Sequence, residues 1–182
     1  QHLYAGATGR HRAGWDRAVI AEYVLLAGRI HQELADLEQA IARAGRASQA
    51  AQEATADHDL YVDAAALNLH DFYTGLERAF QQVAAIVDKS VPAGPDWHRA
   101  LLEQMCVAFP DVRPAVLSRD TCQALSEFMR FRHVVRNVYA YNLDAQRVQR
   151  LVNDGARLYE QVKAEFIQFA SFLDQVGRDD RR

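Results

Sequence analysis

Apolar residues recur at three- and four-residue intervals along most of this chain, and no segment alternates with the two-residue period of a half-buried strand. The first stripe is Val19, Ile20, Tyr23, Val24, Ala27, Ile30, Leu34, Leu37 and Ile41. It predicts a long helix capped by Asp16 and running to about Ala44. Upstream, Gln1 to Trp15 is rich in Gly, His and Arg and has no period, which predicts an irregular arm. The small, polar run Gly45 to Ala56 suits a connection between helices, part of it helical.

A second stripe, Leu60, Ala64, Leu67, Phe72, Leu76, Phe80, Val83 and Val87, predicts a helix from about Asp57 to Lys89. Pro92-Ala93-Gly94-Pro95 must stop it, because proline removes a donor and clashes with the preceding turn. Asp96 then caps a short helix from Trp97 to about Ala108. Pro110 and Pro114 bracket a loop, and Ser118 caps a fourth helix to about Tyr139. Leu125, Phe128, Met129, Val135 and Val138 are its expected core contacts. After Tyr141-Asn142-Leu143 a fifth helix runs from near Asp144 to near Gly177, with Leu151, Leu158, Val162, Phe166, Phe169 and Leu173 as its stripe. The charged residues 178–182 form a tail expected to fray. The stripes are wider than a coiled-coil seam, so the fold class expected is all-α, an antiparallel bundle of about five helices over residues 16–177.

Composition narrows the function classes. Of 182 residues, 49% are hydrophobic and 25% charged, so the chain can bury a core and is not a disordered one. The net charge of −3 gives no global basic field, so any nucleic-acid site must be a local patch. No apolar run approaches the roughly 20 residues of a membrane span. Cys106 and Cys122 lack metal-type spacing. With no secretory leader in the sequence, they predict free thiols of a cytoplasmic protein.

One patch stands out. Arg130-Phe131-Arg132-His133-Val134-Val135-Arg136-Asn137-Val138-Tyr139 gathers three arginines, a histidine, an amide and a phenol. At 100° per residue, Arg132, Arg136 and Tyr139 fall within roughly 60° of one another. Two guanidiniums beside a phenol make an anion site, each able to clasp a phosphate bidentately and to stack on a base. The plainer reading of the same spacing is a solvated basic stripe that pairs with acids on neighbouring helices.

The run from Arg132 through the polar His133 to position 137 and Tyr139 resembles the motif of the HEPN superfamily, and within it the HepT-like toxins. That motif is Arg, a polar residue, a few residues, His, and in HepT a Tyr two positions later. Leu69-His70-Asp71-Phe72-Tyr73-Thr74-Gly75-Leu76-Glu77, Asp96-Trp97-His98 and Val112-Arg113-Pro114 are similar to HepT-like proteins in the same order, so the resemblance spans roughly residues 15 to 176. It implies a toxin that cleaves RNA without metal or cofactor through the 2′-hydroxyl, with Arg132, His133 and Asn137 at the catalytic positions and Arg130 and Arg136 binding phosphate. It further implies a homodimer whose two motifs meet across a cleft. The implied partner is an MNT-type nucleotidyltransferase antitoxin that transfers AMP to Tyr139.

Position 137 departs from the motif: Asn stands where the family has His. An amide cannot exchange a proton near neutral pH, and acid-base help is typically worth about 10²–10⁴-fold. The residues therefore leave two outcomes open, a weakened endoribonuclease and a catalytically inactive HEPN module that binds nucleotides or a partner. His133, one turn before Asn137, is a candidate substitute, although a local hydrogen-bonding role suits it better. His70, Tyr73 and Glu77 share one face of the second helix. His70 and Tyr73 are candidates for a layer beneath the motif, whereas Glu77 reads as packing. Trp97 and His98 read as an interface or loop anchor. His70 and Asp71 point about 100° apart and do not suggest a metal site.

Overall fold

In a computed structural model, residues 17–137 and 143–179 are described. They form five α-helices: α1 (Arg17–Glu53), α2 (His58–Ile86), α3 (Trp97–Met105), α4 (Arg119–Asn137) and α5 (Ala145–Asp179). Among the described residues there is no strand, only an isolated bridge between Phe109 and Arg113. The all-α bundle is as expected. The proposed arm, the Asp16 cap, the last three tail residues and Val138 to Asn142, which include Tyr139, lie outside the described residues.

Side-chain contacts fix the topology. Lys89 pairs with Glu22 and Arg78 with Glu33, so α2 runs antiparallel to α1. Ser48 donates to Gln149 at 2.6 Å and the buried Tyr159 hydroxyl to the Leu34 carbonyl at 3.0 Å, so α5 is antiparallel to α1 as well. Thr121 donates to Glu165 and Arg147 pairs with Glu127, which sets α4 antiparallel to α5. The core fills the space between the helices, with Phe80 stacked on Phe166 and Phe72 edge-on to Phe128. Gly75 permits close packing of α1 on α2, since a Cβ there would lie 2.6 Å from Glu33 Oε1 and 2.7 Å from Leu37 Cδ2.

Several boundaries differ from those the pattern predicts. The stretch expected to connect the first two helices is mostly helix, because α1 continues to Glu53. The stretch is rich in Ala, with Arg and Gln among its polar residues, all good helix formers. Ala44, Ser48 and Ala51 are buried, and the turn itself is left to residues 54–57. Leu60 and Leu67, expected in the core, are 60% and 56% exposed, and Val24 is 41% exposed. The buried face of α2 is instead Val62, Ala65, Ala66, Leu69, Phe72, Tyr73 and Leu76, leaving Leu60, Ala64 and Leu67 as an outward ridge. Ser118 caps α4 as expected, accepting from Thr121 N, and Asp144 caps α5, accepting from Gln146 and Arg147 N. Asp96 does not cap α3 through its side chain, which turns to Arg99 instead. Helix α3 is also shorter than expected, ending at Met105.

Helix α2 ends at Ile86, well before the prolines, where Lys89 takes a left-handed φ of 52° and the Asp88 and Ser90 amides close back on Val83 and Ala84. The early stop aims Asp88 at Arg113. Arg113 donates to Asp88 through Nε (2.5 Å) and Nη2 (2.8 Å), and to the carbonyls of Val107, Pro114 and Gln104. Neither side chain is more than 3% exposed. This pair fastens the loop between α3 and α4 to the end of α2.

The cysteines correct a second expectation. Cys106 and Cys122 are joined in a disulfide, their Cα atoms 6.3 Å apart, and are not free thiols. Helix α3 folds back along α4, so the end of one meets the first turn of the other despite the 16-residue separation. The cytoplasmic reading therefore loses the support it drew from free thiols. Closing a loop of this size removes about 3 kcal/mol of unfolded-chain entropy in the chain-entropy account. Cys106→Ser with Cys122→Ser is thus expected to lower stability by about 2–3 kcal/mol, read from the urea midpoint. An unchanged midpoint would show that the bond adds no stability. No helix among the described residues is long and apolar enough to cross a membrane.

Candidate functional site

The antiparallel pairing of α3 with α4 has a second end. Opposite the disulfide, the first turn of α3 faces Arg132 of α4 across Glu77 of α2. Arg132 Nε lies 3.1 Å from Glu77 Oε2 and 3.4 Å from Thr74 Oγ1. Glu77 Oε1 is 2.5 Å from His98 Nδ1, and His98 Nε2 is 3.5 Å from Arg132 Nη1. A carboxylate, an imidazole and a guanidinium from three helices thus form one cluster.

Burial makes this arrangement selective. The Glu77 side chain is only 4% exposed, and a carboxylate in that setting costs several kcal/mol unless paired and hydrogen-bonded. Both of its oxygens are engaged. An ionised carboxylate only accepts, so His98 Nδ1 must be the donor. In the neutral ring this leaves Nε2 as the acceptor, turned towards the guanidinium. The His98 ring is further held by the Trp97 indole at 3.6 Å between centroids. Arg132 and His98 keep 13% and 24% exposure, so the cluster opens to the surface through its basic groups while its acid is sealed beneath.

Tyr73 lies one turn from Glu77 on α2 and is fully buried. Its hydroxyl has no hydrogen-bond partner among the described residues. Burial, and next the Glu77 charge, push its pKa well above the ordinary phenol value, with Arg132 pulling the other way. It therefore stays a neutral phenol beneath the cluster.

The other residues singled out in the sequence are distributed around this point. His133 and Asn137 lie on the exposed side of α4, where Asn137 Nδ2 donates to the His133 carbonyl at 2.7 Å and lies 3.2 Å from its ring Nδ1. They bond to each other, while Arg132 bonds to Thr74, Glu77 and His98. Arg136 is exposed in the last turn of α4. Arg130 lies roughly 160° around the helix from Arg132. It borders a hollow with Arg99 and the disulfide, and its Nη1 is 3.7 Å from Glu127. His70 is half-buried beside Asp71 at 3.4 Å. The sequence reading left Glu77 to packing and His98 to anchoring, and the geometry makes them the partners of Arg132. The available signal was the acid itself, a Glu among otherwise core-facing positions of α2.

The comparison with known families falls on these elements. A family model described as HepT-like protein matches residues 64–173, from within α2 to late in α5. The chain belongs to the HepT-like protein family. The matched span holds Glu77, His98, Arg113 and Arg132. Neither the curated proteins nor the solved structures yielded a match. Membership in the HepT-like family supports a toxin-like function of the HEPN type.

Proposed function

We propose that this HepT-like protein is the toxin of a toxin–antitoxin pair, a homodimeric, metal-independent endoribonuclease silenced by an MNT-type nucleotidyltransferase. The observation that carries the reading is the held guanidinium of Arg132. Glu77 fixes its Nε edge, so N–H groups of the Nη side remain for a phosphate, in the planar geometry that suits a bidentate clasp. Exposed Arg136, one turn on, extends the positive surface in a protein of net charge −3. The test is incubation of the purified chain with total RNA and with tRNA beside an Arg132→Ala control. Cleavage that survives in the control would belong to something other than this site.

The outward ridge of Leu60, Ala64 and Leu67 supports the dimer. It leads along α2 towards Thr74 and the Arg132 cluster, and its leucines are more than half exposed. Pairing of two such ridges would bring two clusters to one cleft. Sedimentation equilibrium at micromolar concentration should return twice the 20.5 kDa of one chain, and Leu67→Glu should return one. A monomeric wild type would remove the composite cleft.

Silencing is read from Tyr139, two positions past Asn137 in the motif. AMP on that phenol would set charge and bulk where RNA phosphates bind. With a cognate nucleotidyltransferase and ATP-Mg²⁺, the wild type should gain the mass of AMP and Tyr139→Phe should not. Labelling that persists in Tyr139→Phe would move the acceptor, with Tyr141 next. Asn137 favours a second reading, an inactive HEPN module that binds nucleotides or a partner through the same cleft.

A further inference from the structure

We infer that His98 supplies the proton-transfer group of this site, in the place left by Asn137. The inference rests on the ribonuclease reading above. An enzyme that cleaves RNA through the 2′-hydroxyl needs a group that can take its proton, and it must stand beside the group that binds the phosphate. On α4 neither neighbour meets that need. Asn137 is an amide bonded to the His133 carbonyl, and His133 stands on the exposed side of the helix. His98 does meet it. Its Nε2 is 3.5 Å from Arg132 Nη1, so a phosphate clasped by the guanidinium would bring the adjoining ribose against the imidazole.

Glu77 sets the chemistry of that ring. By accepting from Nδ1 at 2.5 Å it selects the tautomer whose lone pair is on Nε2, the nitrogen on the Arg132 side where a clasped phosphate would bring its ribose. The groups facing the ring are Glu77, with Tyr73 behind it, on α2 and Arg132 on α4. On α3 itself, Arg99 turns to Asp96 and Glu103. Trp97 covers one face of the ring. The cluster thus holds one carboxylate against one guanidinium, with the imidazole in contact with both.

The step balances without a co-reactant other than water. The 2′-oxygen forms a bond to phosphorus as its proton passes to His98 Nε2. The bond from phosphorus to the 5′-oxygen breaks, and that oxygen takes a proton from water. Nε2 then returns its proton to solvent. The products are a 2′,3′-cyclic phosphate and a 5′-hydroxyl.

The experiment is single-turnover cleavage of a short RNA by the full chain across pH, for wild type, Arg132→Ala, His98→Gln and His98→Ala. Gln still reaches Glu77 with a hydrogen bond, which protects the fold. The expected result is a fall of about 10²–10⁴-fold in His98→Gln. The rising limb of the wild-type pH profile should be lost with it, and added imidazole should partly restore His98→Ala. Cleavage lost in Arg132→Ala but kept in His98→Gln, with its pH limb intact, overturns the role of His98 and leaves the ribonuclease standing. A fall in both His98 variants with the pH limb retained and no imidazole rescue makes the residue structural and also overturns it. Absence of cleavage by the wild type, or equal cleavage by Arg132→Ala, overturns the ribonuclease reading and this inference together.

Discussion

Arg132→Ala is expected to reduce RNA cleavage by about 10²–10³-fold, the usual cost of removing one preorganised donor from a developing phosphate charge. The guanidinium is held before RNA arrives, with Nε set against Glu77 and Nη1 beside His98. Little reorganisation then remains for the transition state, so its loss should appear in the rate more than in binding. Arg132→Lys tests the geometry apart from the charge. An ammonium can satisfy Glu77 but cannot reproduce a planar fork, so most of the loss should remain. Alanine also leaves buried Glu77 with His98 alone, so melting temperatures must accompany the rates and the assays should run well below them. Arg136 is exposed and should act mainly through binding. For single-stranded RNA each lost phosphate contact lowers the slope of log affinity against log salt by about 0.7, so Arg132→Ala with Arg136→Ala should flatten it by roughly 1.4. A double variant with wild-type cleavage and salt slope would reduce the basic stripe to a solvated surface.

The helices were legible because their stripes are long and regular. Ile30, Leu34, Leu37, Phe72, Leu76, Phe80, Val162, Phe166 and Phe169 are all buried as their spacing requires. What failed was phase and termination. Leu60 and Leu67 fit a helical stripe, but not the one facing α1, because the side of α2 that packs carries small Ala65 and Ala66 that spacing alone undervalues. The early end of α2 sets Asp88 against Arg113, a long-range pairing that no local signal contains. The disulfide was hidden for a similar reason, since only the fold-back of α3 on α4 makes neighbours of Cys106 and Cys122. At the site, Arg132 was visible as part of a basic run. Glu77 and His98 come from two other helices, and periodicity gives no means of joining them to it. The match over residues 64–173 agrees with the motif reading of the family.

The pair Asp88–Arg113 should dominate the stability of the α3–α4 connection. Truncating one member, as in Asp88→Ala, is expected to cost about 3–5 kcal/mol, because it strands a fully buried guanidinium that keeps carbonyls and the Phe109 ring but no counter-charge. Arg113→Ala should cost as much, stranding Asp88 with Gln104 as its remaining donor, at 2.7 Å. Replacing both by apolar residues of similar volume, Asp88→Leu with Arg113→Met, should recover much of the loss, since two charges then need no burial. The recovery will be partial, because the carbonyls of Val107, Gln104 and Pro114 lose the donors that Arg113 gives them. Urea unfolding of the two single variants and the double decides the matter, with the coupling between them as the quantity of interest. Single variants within 1 kcal/mol of wild type would mean that water reaches the pair and that the loop is held by something else. Because α3 carries His98 and leads into this loop, a loosened loop should also move the imidazole away from Arg132. Asp88→Ala is therefore expected to lower RNA cleavage even at temperatures where the bundle stays folded, and unimpaired cleavage there would show that α3 keeps its place without the Asp88–Arg113 pair.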